Sequence, residues 1–419
     1  MVNFGESTMN EVYITGRGIV SPLGNTIAVN EAALRSGKSG TSTVPDFVAH
    51  ELYSTVGGVA YIDPDPELID RKKLRFCTQT SVMSIAAAKE AFAEAGLTPE
   101  DTRGKNIAML SGVPDSNSQE IHDNSITYER SGFKIRTISP CAVSRIMPSS
   151  AVSLLSMTFG TVGESYDISA ACSSSSVAIM NGVRLIRSGL YDQVLVGGAE
   201  EIDWCLTIGF CACRALSKNF NDAPERASRP FDRERDGFVM ASGAAYILLE
   251  SERSVKARGV RPICRVTGIG ANSNALDMVV PDAGSSAAVM RMAIADAGLK
   301  PSDIGYINTH GTATPVGDPV EMAAIKEVFG SKVAINSTKS QTGHMIGATG
   351  AAEAIFTSIM LDKHFLSPSI NCENPDPEFG WADIVRSCRT GTTEIRHALS
   401  NSFAFGGSNC ALVLSEPGL

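Results

Sequence analysis

The sequence predicts a duplicated α/β fold, on two repeated patterns and the order in which they recur. EVYITGRG (11–18) returns in type as ICRVTGIG (263–270), a β-branched strand ending in Thr-Gly-x-Gly. AKEAFAEAGLTPED (88–101) returns as MAIADAGLKPSD (292–303), an Ala-rich amphipathic helix closed by glycine and followed by x-Pro. Each helix then leads into a further apolar strand, NIAMLSG (106–112) and IGYINTHG (304–311). One such match carries little, because AGL-x-P is a common helix exit. Two elements repeated in the same order make chance the weaker reading. Alternating strands and helices in both halves imply largely parallel, buried sheets. The halves divide at 1–259 and 260–419.

The remaining elements follow in order. YDISAACSSSSVAIMNG (166–182) reads as a buried strand end, a turn holding Cys172 and an amphipathic helix over 175–189. VLVGGAEE (194–201) is a buried strand entering a glycine turn, and RPFDRERDGFVMASGAAYILLESE (229–252) is a charged loop running into a long apolar strand. HALSNSFAFGGSNCALVLSE (397–416) closes the pattern as strand, Gly-rich loop, strand. Loops at the ends of rigid strands are where catalytic groups belong.

Composition narrows the function classes. Of 419 residues 43% are hydrophobic and 19% charged, as in an ordinary soluble protein with a substantial core. No apolar run approaches the ~20 residues of a membrane span, and MVNFGESTMNEVYITG has no basic segment ahead of an apolar stretch, so no leader is read. The ten cysteines are scattered, mostly in apolar segments, and nine read as small hydrophobes of a reducing cytoplasm. Cys211 and Cys213 form CxC without companions at zinc spacing, so no metal is expected. A formal charge of −9 argues against non-specific nucleic-acid binding.

The tenth cysteine is different. Cys172 stands at a strand-to-helix turn, where unpaired N–H groups and the helix dipole favour a thiolate and can hold the oxyanion of an attached thioester. Its alanine and serine neighbours are small and leave room for something to approach the sulfur. His310 and His344 lie in Gly/Thr-rich loops directly after apolar strands, in NTHGTATPVGDPVE (308–321) and STKSQTGHMIGATGAAE (337–353). Neutral imidazoles so placed can donate to a carbonyl that develops negative charge. Lys339 precedes His344 by five residues, and Gly406-Gly407 lets backbone amides approach a ligand. His50, His122, His364 and His397 lie in polar or irregular contexts and read as structural. One Cys, two His and an amide loop describe thioester chemistry with carbanion formation. A Cys-His protease would want an orienting Asn or Asp and would leave the second His and the Lys unexplained.

SAACSSS (169–175), THGTATPVGD (309–318), TKSQTGH (338–344) and NSFAFGGSN (401–409) together resemble the β-ketoacyl-acyl-carrier-protein synthases, condensing enzymes of the thiolase fold, over essentially the whole chain. GGAEEIDWC (197–205), the stretch 215–243 and LIDRKKLRF (68–76) are similar to the synthase I branch. The resemblance implies a layered α-β-α-β-α architecture and no bound cofactor, the substrates being carried on the phosphopantetheine of acyl carrier protein. It implies that Cys172 carries the acyl chain, with the amides of Cys172 and Phe403 as its oxyanion hole. His310 and His344 would hold the malonyl thioester oxygen, and Lys339 and Glu353 would form a supporting charge network. Thr312 and Thr314 would line the phosphopantetheine tunnel, Phe403 would gate it, and Phe405 would touch substrate. Arg71, Lys72, Lys73 and Arg75 match the family's carrier-docking segment, and Arg130, Lys134 and Arg136 form a second basic cluster assigned to the same docking. The implied reaction is a ping-pong decarboxylative condensation in fatty-acid elongation, run by a homodimer.

Two departures bear on acyl-chain preference. Ala404 replaces the first glycine of the family's NSFGFGG, which costs about 1 kcal/mol if that position takes positive φ. Four consecutive serines follow Cys172 where the synthase I type has bulkier or mixed residues. The alternatives are a ketosynthase of a specialised polyene or polyketide pathway, paired with a chain-length subunit, and a degradative thiolase. The thiolase needs a second cysteine in a carboxy-terminal Gly-rich loop, and Cys410 falls within a strand. An inactive partner subunit is opposed by Cys172, His310 and His344 occurring together.

Overall fold

The computed structural model describes residues 10–115, 117–330 and 333–418; residues 1–9, part of the stretch read as lacking a leader, lie outside the described residues. Eleven strands join into one sheet. The first half supplies β1 (Val12–Val20), β2 (Ala108–Gly112), β3 (Ser165–Asp167), β4 (Gln193–Glu200) and β5 (Gly243–Ser251). The second supplies β6 (Cys264–Ser273), β7 (Tyr306–Asn308), β8 (Ala334–Asn336), β9 (Asp383–Ile384), β10 (His397–Phe403) and β11 (Ser408–Ser415). Across the sheet the order is β9-β8-β7-β10-β11-β6-β1-β5-β4-β2-β3. With β9 set aside, each half runs third, second, fourth, fifth, first strand, so the duplication seen in the sequence is a duplication of topology. The halves meet where β1 pairs with β6 through Tyr13↔Arg265 and Ile14↔Cys264.

The sheets are mixed rather than largely parallel. Each half has two antiparallel strand pairs; the first half has two parallel pairs and the second three, the third being β8 with β9. The reason is connection length: β10 returns to β11 through residues 404–407, far too short for the crossover that parallel neighbours require.

Helices complete five layers. α1 (Gln79–Glu94) lies outside the first half-sheet, preceding α2 (Ser118–Arg130), and α3 (Ser150–Phe159) packs beside α1. α4 (Ser174–Arg187) lies in the central layer, while α5 (Trp204–Ala212) stands in the long excursion before β5. α6 (Ala283–Asp296) and α7 (Gly317–Phe329) cover the second half-sheet, and α8 (Thr349–Asp362) joins α4 in the centre. The Thr-Gly-x-Gly echo has a packing cause. A Cβ on Gly16 or Gly18 would fall 1.9 or 1.8 Å from the carbonyl oxygens of Ala91 and Ala87 in α1. Gly268 and Gly270 stand in the same relation to α6, at 2.1 Å from Ala293 O and 2.5 Å from Val289 O. Only glycine lets an Ala-rich helix rest directly on the strand. Both glycine pairs are mid-strand, not at the strand end the sequence suggested, because the ladders run on to Val20 and Ser273.

Candidate active site

The chain delivers each predicted chemical group from the end of a strand or the start of a helix. Cys172 lies in a 3-10 turn, Ala171–Ser173, that runs straight into α4. Ala171 holds φ of 47°, a left-handed conformation that costs a non-glycine residue roughly 1 kcal/mol and turns the thiol off the strand line. The serines after it do not open a path to the sulfur, as their size suggested. Ser173 to Ser176 are all buried, and Ser175 Oγ accepts the Ala351 N–H at 2.9 Å while Ser176 Oγ meets Ser402 Oγ at 2.8 Å. Their smallness lets α4 approach α8, where a Cβ on Gly350 would lie 2.0 Å from Ser176 Oγ.

His310 follows β7 by two residues, and His344 follows the short helix Lys339–Thr342 after β8. Their rings stand 5.4 Å apart and nearly perpendicular, with the Phe403 ring 6.0 Å from His310. Cys172, His310, His344, Thr312, Thr314, Phe403 and Phe405 line one cavity of about 300 Å³. Lys339 Nζ and Glu353 Oε1 form a buried ion pair at 2.6 Å beside it. The sequence thus named groups that the fold does bring together. His50 and His122 instead pack on Trp204, at 4.2 and 5.0 Å.

The loop over the sulfur corrects one assignment. The N–H groups that act on the Cys172 thiol are its own and that of Phe405, not that of Phe403. Phe403 is the last residue of β10 and contributes its ring; the turn at Phe405–Gly407 brings the later amide back over the thiol. Ala404 is extended, at φ −116°, so the alanine carries no strain in this state, and the positive φ angles of 81° and 74° belong to Gly406 and Gly407.

Electrostatics corrects a second. Burial pushes the Cys172 thiol up to about 11, against the opposing influence of Lys339 and the two amides, so the turn does not hold a resting thiolate. Burial, and after it Lys339, drives both His310 and His344 well below the usual imidazole value, leaving both rings neutral. Burial pushes Glu353 up to about 7 even beside Lys339, and its second oxygen is buried without a partner among the described residues.

Sequence reading assigned no role to Glu321, Asn401 or Thr349. Glu321 accepts the backbone N–H groups of His310 at 2.8 Å and Gly311 at 2.7 Å, and Asn401 Nδ2 donates to it at 3.0 Å. The carboxylate therefore fixes the loop that carries His310. Both Glu321 and Asn401 lie inside stretches already singled out, but nothing local marks a side chain that acts on backbone from another element. Thr349 Oγ1 lies 2.9 Å from His344 Nδ1.

The basic segments stand elsewhere on the surface. Asp70 caps the turn Arg71–Leu74, its carboxylate accepting the N–H groups of Lys72 and Lys73 at 2.8 Å each. Arg71, Lys72, Arg75, Arg130 and Lys134 are exposed, whereas Lys73 Nζ turns back onto Leu68 O at 2.9 Å and is withdrawn from the patch.

Known proteins align with this arrangement along nearly the whole chain. The profile of the β-ketoacyl synthase N-terminal domain matches residues 9–254, and that of the β-ketoacyl synthase C-terminal domain matches 263–373. The chain belongs to the β-ketoacyl synthases. Its similarity to 3-oxoacyl-[acyl-carrier-protein] synthase 1 of Haemophilus influenzae is 39% identity over 411 residues, covering 97% of this chain and 99% of that one. The Escherichia coli K12 protein of the same name is 38% identical over 409 residues, with coverage of 97% and 99%. A β-ketoacyl synthase structure from Burkholderia phymatum STM815 superposes with TM-score 0.91 at 32% identity, covering 97% of this chain and all 100% of that one. The ishigamide ketosynthase/chain length factor superposes with TM-score 0.91 at 28% identity and coverage of 98% and 100%. The layered architecture of this synthase is accordingly thiolase-like, and the chain is a condensing enzyme by family.

Proposed function

We propose that the chain is a 3-oxoacyl-carrier synthase of fatty-acid elongation. The observation that carries this reading is one cavity lined by Cys172, His310 and His344, with the Phe405 amide on the sulfur and both imidazoles neutral. In the first half-reaction Sγ attacks the acyl thioester, a new S–C bond forms, and the carrier thiol leaves with the proton. The amides of Cys172 and Phe405 hold the oxyanion. In the second, malonyl thioester enters, its carboxylate leaves as CO2, and the electron pair becomes an enolate whose oxygen accepts hydrogen bonds from His310 and His344. Neutral rings suit this, since a donor that stays neutral lowers the barrier without a proton transfer. The enolate carbon then attacks the acyl carbonyl, the acyl carbon–sulfur bond breaks, and Cys172 Sγ leaves with the electron pair as a thiolate that takes up a proton from solvent to restore the resting thiol. Thr312 and Thr314 line the approach of the pantetheine arm, and Lys339 with Glu353 keeps the site's charge. We read the chain as two halves, 1–259 carrying Cys172 and 260–419 carrying both histidines.

The carrier docks on Arg71, Lys72, Arg75, Arg130 and Lys134, and the enzyme is a cytoplasmic homodimer. Supporting the dimer, β3 ends the sheet with Ser165 and Tyr166 exposed, contrary to the buried strand the sequence suggested, and Val143 and Val162 are 77% and 67% exposed. An unpaired strand edge flanked by exposed apolar side chains favours pairing with a second copy. The likeness to the ishigamide ketosynthase/chain length factor favours one second reading, a heterodimer in a specialised pathway.

The test is mass spectrometry of products formed from acyl- and malonyl-loaded carrier, with light scattering of the purified chain. CO2 release and a two-carbon extension that Cys172→Ala abolishes support the reading. Full extension by Cys172→Ala overturns the mechanism, and a mass of 44.2 kDa at micromolar concentration overturns the dimer.

A further inference from the structure

The two histidines are held in different ways. His310 is fixed through its peptide, by Glu321, and its Nδ1 is buried without a partner among the described residues. His344 is fixed through its ring. The chain after it makes one 3-10 turn, Ile346–Ala348, and enters α8 at Thr349, whose Oγ1 then lies 2.9 Å from His344 Nδ1. Both residues are 2% exposed. Among the described residues His344 Nε2 is buried with no partner, and the ring lines the cavity that Cys172 shares.

A neutral imidazole carries one proton, and the partner of one nitrogen decides which nitrogen holds it. Among the described residues the Thr349 hydroxyl has no hydrogen-bond partner other than Nδ1. If Nδ1 carried the proton and donated, the hydroxyl proton would be buried without an acceptor and Nε2 would present only a lone pair. If the hydroxyl donates, its proton is satisfied and Nε2 carries the free N–H. The helix start points the same way, because α8 is 14 residues long and its amino end favours electron density, not a further N–H, beside it.

We propose that Thr349 is a positioning residue: its hydroxyl donates to His344 Nδ1 and so fixes the tautomer that presents Nε2–H to the enolate oxygen. The proposal deepens the condensing-enzyme reading and rests on it for the identity of the acceptor. Burial and the Lys339 charge keep the ring neutral, the state in which tautomer choice matters.

The decisive measurement is nitrogen NMR of histidine-labelled wild-type enzyme, which reports which ring nitrogen of His344 is protonated without any reference to turnover. Protonation at Nε2 is expected; protonation at Nδ1 overturns the proposal. In Thr349→Val the Nε2-protonated form should lose its dominance, and turnover for malonyl-carrier decarboxylation should fall about tenfold or more at little-changed KM. Thr349→Ser, which keeps the hydroxyl, should restore both. A Val variant as fast as wild type, or a Ser variant as slow as Val, overturns the assignment. Should Thr349→Val not fold, the wild-type spectrum and the Ser variant decide alone. Wild-type enzyme that neither loads Cys172 nor decarboxylates malonyl-carrier defeats the functional reading, and the spectrum still decides the tautomer.

Discussion

Cys172 is 9% exposed and its thiol is pushed up to about 11, so at neutral pH it rests protonated, and in the proposed mechanism it becomes an anion only as the thioester engages it. Lys339 is the largest influence opposing that rise. Replacing Lys339 by Met should therefore slow alkylation of Cys172 by iodoacetamide at neutral pH and move its pH dependence upward; an unchanged profile would remove Lys339 from the account. The histidines divide the labour differently. His310→Ala or His344→Ala should cost more in condensation than in acyl transfer to Cys172, because acylation still has its two amides. Trapping the labelled acyl-enzyme isolates the first half-reaction, and equal losses in both would refute the division.

The same rings give stability a pH dependence. Their folded values lie well below 6.5, against about 6.5 in the unfolded chain. As pH falls below about 6.5 the unfolded chain takes up protons that the folded chain refuses, so stability is lost on acidification and is unaffected above that range. Asp167, Glu353 and Asp318, raised by burial to about 8, about 7 and about 6, act in the opposite sense, and burial raises Glu200 and Glu321 as well. The histidine share appears as a difference: in urea titrations from about pH 7 to 5, the double Asn variant should gain stability relative to wild type as pH falls.

Among the elements, contact distance separates glycines that must be glycine from those that need not be. A Cβ on Gly268 would meet Ala293 O at 2.1 Å, so Gly268→Ala has to lift α6 off β6 and should cost about 1–3 kcal/mol. Gly209, inside α5, has nothing within 4 Å of its Cβ position, and Gly209→Ala should stabilise by roughly 0.5–1 kcal/mol through helix propensity alone. Denaturant melts of the two variants should move in opposite directions. The same reasoning assigns the serine run after Cys172 to the α4–α8 contact rather than to substrate access.

For the whole molecule, the net charge and the charge of the proposed docking patch have opposite sign. The chain carries −9, yet Arg71, Lys72 and Arg75 project from one capped turn. An exposed patch of this kind steers association more than it holds the complex, and salt screens it. Reversing Lys72 and Arg75 to Glu should raise KM for carrier-bound substrate several-fold and flatten its salt dependence, with turnover of a small pantetheine thioester nearly unchanged. Lys73→Glu should do less, since its ammonium is tied to Leu68 O. A carrier KM that ignores the double reversal at low salt places docking elsewhere.

The amino-acid sequence by itself determined the duplication and singled out Cys172, His310 and His344 with the loops that bear them, because these are written in local signals: repeated strand and helix patterns, glycines at turns, polar residues in otherwise apolar stretches. Tertiary structure decided whatever depends on contact between distant segments. It alone assigned the amide over the sulfur to Phe405, made the serines packing surface, withdrew Lys73 from the patch, and placed Glu321 under the His310 loop and Thr349 beside His344. It also set the protonation states, since burial reverses what a helix start favours at Cys172. Hydrogen bonds and desolvation act through space, and the residues that supply them are separated along the chain by whole elements.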